Sequence, residues 1–164
     1  MRANGTHLEV AMAAGVVCIK INGPANFNAS PGFKNVANKL CADAGHALLL
    51  DLTDCVNMDS TFLGVLASLS QRLEKPIELL NPADRITGLL DNLGMLDFFK
   101  VGQGENPLTA QMEQAESAPA AKRELTETSL EAHRLLMKLN ADNIPRFKDV
   151  TRFLEEDLKN QDQP

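Results

Sequence analysis

The sequence predicts an α/β fold, with a mostly parallel sheet covered by helices and a helical extension at the C-terminus. Short apolar runs alternate with stretches of helical periodicity through residues 1–104, as in domains built around a parallel sheet. The composition changes from residue 102 to residue 122, where Gly, Pro and Ala interrupt this alternation, which is typical of a linker. Two further helical patterns follow. We therefore predict a domain at 1–104, a linker at 105–122 and a helical extension at 123–164.

A β-hairpin is predicted at the start of the chain. Residues 8–12 alternate between apolar and polar side chains, Gly15 allows a turn, and residues 16–21 form a second apolar run, a pattern that favours two antiparallel strands. Gly23-Pro24 then ends the second strand. The loop lacks G-x-G-x-x-G spacing, so it is not predicted to bind a nucleotide phosphate.

The rest of the predicted domain repeats helix and strand. Ser30 is expected to cap a helix that has Pro31 in its first turn. Apolar residues recur along that helix at the spacing of one buried face, namely Phe33, Val36, Ala37 and Leu40. The further elements are a strand at 47–51, a helix from about 60, a strand at 77–80, a helix at 82–93 and a short strand at 98–101. The predicted order is β-β-α-β-α-β-α-β.

The stretch around residue 60 is predicted to carry the function. Asp51 ends a buried strand, Asp54 lies in the polar loop after it, and Asp59 or Ser60 is expected to cap the next helix. Asp59, Ser60 and Thr61 would then lie where a sheet edge meets a helix N-terminus. In open α/β sheets, ligands and anions are commonly bound there.

These residues also resemble a known family. Leu48-Leu-Leu-Asp-Leu52 and Val56-Asn-Met-Asp-Ser-Thr-Phe-Leu-Gly-Val-Leu66 are similar to the core motif of the STAS family, especially of the bacterial anti-sigma factor antagonists. The resemblance extends over roughly the first hundred residues and implies a STAS-type fold. It implies that Ser60 is phosphorylated by a partner kinase, with Thr61 as the alternative, and that Asp51 is the structural acid at the end of the central strand.

The resemblance also implies a partner-binding surface beside Ser60. It places the loop from Asn22 to Asn28 next to the serine, so the expected binding residues are Asn22, Asn26, Asp59, Phe62 and Leu63. Phe62 stands where many family members have a small residue, usually Gly. We expect its ring to make this surface bulkier and to alter which kinase docks.

The resemblance implies a cytoplasmic bacterial signalling protein that acts in transcription regulation without a cofactor. With Ser60 unphosphorylated, it would sequester an anti-sigma factor or related serine kinase. Phosphorylation would end this binding, and a metal-dependent serine phosphatase would restore it. The alternative is a STAS scaffold or adaptor that is never phosphorylated, as a subunit of a stress-sensing or lipid-transport complex.

Composition and motifs argue against other functional classes. The net charge of −6 and the lack of a basic cluster argue against binding to nucleic acid. No apolar run has the length of a membrane span, and the three Cys and three His share no metal-ligand spacing. A serine enzyme is disfavoured because G-x-S-x-G is absent and only His7 and His46 lie within the predicted domain as candidate bases.

The C-terminal extension is predicted to form two amphipathic helices. Thr128-x-x-Glu131 resembles a capping box at the start of the first, and Pro145 begins the second. Short helices cannot bury an apolar face alone. We expect these two to pack on each other, on the sheet domain, or on a second copy in a homodimer.

Overall fold

A computed structural model describes residues 5–115 and 118–162. The outer limits of the predicted domain and extension, and residues 116–117 of the predicted linker, lie outside the described residues. The strands and helices are, in chain order, β1 His7–Ala13, β2 Val16–Ala25, α1 Ser30–Leu40, β3 Ala47–Asp51, β4 Cys55–Met58, α2 Ser60–Arg72, β5 Ile77–Leu80, α3 Asp84–Asn92, β6 Phe99–Gly102, β7 Glu113–Ala115, α4 Lys122–Leu139 and α5 Ile144–Gln161.

The predicted fold class is confirmed. The sheet has the order β6-β5-β3-β2-β1-β7, and β4 pairs with β2 outside this order. β1 pairs antiparallel with both β2 and β7, and the remaining pairs are parallel. The hairpin between β1 and β2 turns through Ala14 and Gly15, which both have positive φ. This conformation suits the twist of a tight hairpin.

The helices and the main core lie together on the sheet. Residues Val17 to Ile19 of β2 are fully buried, as expected for a central strand that is covered on both faces. On one face, strand side chains such as Ile19 and Leu50 join the helices in one large apolar cluster. On the other face, Cys18, Leu49 and Leu80 form a smaller cluster with Leu108.

The segment predicted as a linker is largely built into the fold. Leu108 is buried against the second sheet face, and β7 extends the sheet by pairing with β1. Asn106 donates from Nδ2 to Asp51 Oδ2 at 3.0 Å. Because the second face of the sheet is apolar, it needs cover that a free linker would not provide. Residues 106–115 are therefore packed on the sheet, and the linker stays a prediction for the rest of 105–122.

Two helix starts also differ from the prediction. α1 begins at Ser30 with Ala29 in the capping position and no side-chain cap, whereas Ser30 was predicted to be the cap. The Ser30 hydroxyl instead donates to the Asn26 carbonyl at 2.8 Å. α4 begins at Lys122, so Thr128 lies inside the helix and does not cap it.

α4 and α5 pack on each other and on the sheet domain. Leu136 is fully buried and belongs to the main core. At the turn between the two helices, the buried Asn143 donates from Nδ2 to the carbonyls of Leu93 and Leu136, both at 3.0 Å. The C-terminal hairpin, α4 and α5 with their turn, is thereby fixed to the end of α3.

The structure contains no helix, within the residues it describes, with the length and apolar character needed to cross a membrane.

Candidate functional site

Asp59 is the N-cap of α2 and joins it to the loop after β2. Its Oδ1 accepts from the Phe62 backbone N–H at 3.0 Å, and its Oδ2 accepts from the Phe27 backbone N–H at 2.7 Å. The Asp59 backbone N–H donates to the Ala25 carbonyl at 3.0 Å. One carboxylate therefore fixes both the start of the helix and the loop beside it. Ser60, the other candidate for the cap, is the first residue of the helix.

The Ser60 hydroxyl forms a hydrogen bond with a histidine of α4. Ser60 Oγ lies 2.8 Å from His133 Nε2, and His133 Nδ1 lies 2.7 Å from the Ser129 carbonyl oxygen. A carbonyl oxygen can only accept, so Nδ1 carries the hydrogen, and in a neutral ring Nε2 accepts from the Ser60 hydroxyl. Ser60 is half-buried as a result.

The environment of His133 favours its neutral form. Its side chain is 4% exposed, and its ring centroid lies 4.9 Å from that of Phe147. Burial lowers the pKa of His133 below its ordinary value of 6.5, while the Ser129 carbonyl and the charge of Asp59 oppose this shift. The imidazole is therefore a neutral acceptor for Ser60 at neutral pH.

Small and hydroxyl side chains allow α4 to lie close to α2. Thr61 Oγ1 is 2.8 Å from Ser129 Oγ, and both side chains are buried. A Cβ atom on Gly64 would lie only 2.4 Å from the Cβ of Ala132. Gly64 is therefore required for this approach of the two helices, because any larger residue would force them apart.

Acid is expected to destabilise the fold through the protonation of His133. As the pH falls through 6.5, the unfolded chain protonates this histidine before the folded chain does, because the pKa of His133 is lowered in the folded state. The free energy of unfolding should therefore fall from about pH 7.5 to about pH 5.5 more steeply in the wild type than in His133→Gln.

Urea unfolding across this pH range measures the effect. His7 and His46 are present in both chains, so the difference between the two profiles reports on His133. Parallel pH profiles for the two chains would contradict the shifted titration.

The structure contradicts the expected surface position of Phe62 and Leu63. Both side chains are fully buried, and the Phe62 ring packs on Phe33 with a centroid distance of 4.6 Å. The helical repeat explains this, because residues 62, 63 and 66 face the sheet when 60, 61 and 64 face α4. In this conformation neither side chain is available to a partner.

The other predicted site residues lie on β2, which continues to Ala25 and so includes Asn22 of the expected loop, in the loop after β2, and at the end of β3. Asn22 Nδ2 donates to Glu9 Oε2 at 2.8 Å, and Asn26 Oδ1 accepts from the Ala29 backbone N–H at 3.1 Å. Asp51 is buried, and its Oδ1 accepts from both the backbone N–H and the hydroxyl of Thr53. Of the predicted partner-binding residues, only Asp59 is shown in direct contact with the loop and with the start of α2.

Sequence reasoning missed His133. Ser60 and His133 are far apart in the chain, and only the docking of α4 on α2 brings them together. The signal in the sequence was that Ser129 and His133 lie one turn apart on the same side as the apolar Ala132 and Leu136. Polar residues within an otherwise buried face usually have a hydrogen-bond partner.

The chemical groups of the site are a hydroxyl, a neutral imidazole and a carboxylate. Among the residues that the structure describes, no group of three or more His, Cys, Asp or Glu is placed to hold a metal ion. A cavity of about 250 Å³ lies between α1, α2 and α4, with Lys34, Gly64, Val65 and Leu135 in its wall. Ser60 is not among its lining residues.

Comparisons with known proteins agree with this architecture. An anti-sigma factor antagonist from Mycobacterium paratuberculosis has a TM-score of 0.55 at 18% identity, covering 62% of this chain and 88% of its own. The anti-sigma factor antagonist SpoIIAA in its unphosphorylated form has a TM-score of 0.52 at 15% identity, covering 60% of this chain and 89% of its own. These likenesses show the fold. The comparison with curated proteins gives no match.

The family model of the STAS domain matches residues 7–108. This range spans β1 to β6 and the buried segment around Leu108, and it covers more than half of the chain. The chain belongs to the STAS domain family.

Proposed function

We propose that the chain is an anti-sigma factor antagonist whose binding to an anti-sigma factor or related serine kinase is switched by phosphorylation of Ser60. The observation that carries this proposal is the position of the Ser60 hydroxyl. It lies on the first residue of α2, directly after the capping carboxylate of Asp59, in a domain that shares its fold with two anti-sigma factor antagonists.

The physical chemistry of this position supports a switch. A phosphate adds about −1.5 to −2 charges and three acceptor oxygens. In the free protein, the N-terminus of α2 stabilises such a charge. In a dry interface beside the Asp59 carboxylate, the same charge is repelled and loses its hydration. Thr61 is a poorer acceptor for the phosphate, because its side chain is buried against Ser129.

The proposal makes the chain a cytoplasmic bacterial regulator of transcription and not an enzyme. A metal-dependent serine phosphatase would restore the unphosphorylated form. Ser60 and His133 have the spacing of a nucleophile and its base. We interpret the pair as a packing contact, because His133 is buried beneath Phe147 and the adjacent cavity is not lined by Ser60.

A second candidate function is the unphosphorylated scaffold or adaptor. It is favoured by one observation, that the Ser60 hydroxyl is already bonded inside the protein. Phosphopeptide mapping of the protein from its native cell, with and without stress, distinguishes the two. A chain that carries no phosphate on Ser60 or Thr61 in either state favours the scaffold.

Substitutions at Ser60 test the switch. Ser60→Ala should fold, at a cost of about 1–3 kcal/mol for leaving a buried histidine acceptor unpaired. The kinase for this test is isolated from the native cell by its binding to the wild-type chain. Ser60→Ala should bind this kinase, and addition of ATP should not abolish that binding. Ser60→Asp should bind the kinase at least about ten-fold more weakly, because its charge enters the interface.

Titration of each chain against the isolated kinase measures the effect. Ser68→Asp is the matched control, because it adds the same charge to an exposed position of the same helix. Equal affinity of the kinase for wild type, Ser60→Ala and Ser60→Asp, with no phosphate transferred to the chain, would contradict the phosphorylation switch and favour the scaffold function.

A further inference from the structure

The C-terminal hairpin covers the side of α2 that presents Ser60. The Ser60 side chain is hydrogen-bonded to His133 and the Thr61 side chain to Ser129, and Gly64 lies against Ala132. We propose that this hairpin is an intramolecular cover, so that docked α4 and a kinase or phosphate at Ser60 exclude each other. That the reaction at Ser60 is phosphorylation rests on the proposed function. That α4 covers Ser60 rests on the contacts of α4.

The contact with His133 obstructs phosphoryl transfer. In the transfer, the Ser60 oxygen forms a bond to the γ-phosphorus of ATP, the bond from that phosphorus to the leaving oxygen of ADP breaks, and the hydroxyl proton passes to a base. The attacking oxygen and the leaving oxygen must lie in line across the phosphorus. With Oγ only 2.8 Å from His133 Nε2, the imidazole occupies space beside Oγ that the kinase and ATP need.

A phosphate already on Ser60 would in turn displace α4. Phosphorylation replaces the hydroxyl hydrogen that His133 Nε2 accepts, so the hydrogen bond between Ser60 and α4 would be lost. The His133 ring packs on Phe147 and its Nδ1 is fixed by the Ser129 carbonyl. With α4 docked, a phosphate would also be confined beside the Asp59 carboxylate that caps the helix, and the two negative charges would repel each other.

The contacts of the hairpin with the sheet domain are of two kinds. Near Ser60 they are hydroxyl and imidazole hydrogen bonds, with the ion pair between Lys34 and Glu131 at 3.1 Å as an exposed contact nearby. Ion pairs exposed to solvent contribute little to the stability of a fold. Leu136, one helical turn after His133 on α4, and Asn143, at the turn between the two helices, are fully buried. The cover is therefore expected to open at the polar contacts with Ser60 and Thr61 while Leu136 and Asn143 stay buried.

Gly64→Ala tests the cover in the full chain. The added methyl group collides with Ala132, where the Cβ atoms would be 2.4 Å apart, but it favours the helical conformation of α2 itself. Gly88→Ala is the matched control, because it also replaces a helical glycine and its Cβ meets nothing within 4 Å. Ala132→Leu is a second variant that enlarges the α4 side of the contact and leaves α2 unchanged.

Two measurements are made on each chain. The first is amide hydrogen exchange of the start of α2 and of α4, read by mass spectrometry. The second is the rate of phosphate incorporation at Ser60 from ATP in a clarified lysate of the native cell. Gly64→Ala and Ala132→Leu should each raise both rates by about ten-fold, which is within the usual range of coupling between two sites. Gly88→Ala should match the wild type, and exchange in the sheet should be unchanged.

The outcomes separate the cover from the switch. Faster exchange in α4 with an unchanged rate at Ser60 would overturn the cover, as would unchanged exchange in both variants. If no chain incorporates phosphate at Ser60, the proposed function fails. In that case hydrogen exchange alone tests whether α4 covers α2. Release of α4 must also expose the first turn of α2, so exchange there should be faster in the two variants.

Discussion

Phe62→Ala is expected to lower the free energy of unfolding by about 3–5 kcal/mol, the usual cost of removing a buried aromatic ring. The Phe62 side chain is fully buried and packs on Phe33 with a centroid distance of 4.6 Å. Urea unfolding followed by circular dichroism measures the loss. Phe153→Ala is the control, because that ring is 65% exposed and its removal should have little effect. Equal stabilities of the two variants would contradict the buried position of Phe62.

This result would give Phe62 a structural role. Many family members have a small residue at the corresponding position, and the resemblance alone predicted that the ring would enlarge the docking surface. In the structure the ring fills the space between α1 and α2. Its direct influence on the choice of kinase is therefore expected to be small.

Leu136→Ala is expected to cost about 2–5 kcal/mol. Leu136 lies on α4 but is fully buried in the same apolar cluster as the sheet and α2. The loss should appear as one cooperative transition, because the hairpin shares the core of the domain. Val150→Ala, at an exposed position of α5, is the control and should be close to wild type.

The helical signal and the rate of thiol labelling would serve as the two probes of this unfolding. All three cysteines, Cys18, Cys41 and Cys55, are buried in the sheet domain, and burial raises the pKa of the Cys55 thiol to about 11, so labelling follows unfolding of that domain. Two separate transitions for the helices and the sheet in Leu136→Ala would show that the hairpin folds independently of the domain.

The elements with strong periodicity could be predicted from the sequence. The hairpin of β1 and β2, the buried strand β3 and the helix α2 each carry an uninterrupted pattern. β4 and β7 were missed because each is very short and has exposed residues at its middle. Such strands are defined by their pairing with β2 and β1, which a local pattern does not contain.

The candidate site was predicted only in part for a similar reason. The capping role of Asp59 and the position of Ser60 follow from the local sequence around the helix start. The contact of Ser60 with His133 depends on the docking of α4, for which the sequence left three partners open. The structure shows that α4 packs on α5 and on the sheet domain of the same chain, so its apolar face does not require a second copy.

The hairpin follows β7 closely in the chain, because β7 ends at Ala115 and α4 begins at Lys122, and this has a quantitative consequence for partners. A segment tethered by a short connection is held near its binding surface at an effective concentration of the order of millimolar. A partner that competed for this face of α2 from solution would have to overcome that effective concentration through its own affinity and abundance. Because the tether is part of every molecule, synthesis of more of the chain leaves that threshold unchanged, and the response is set by the amount of the partner.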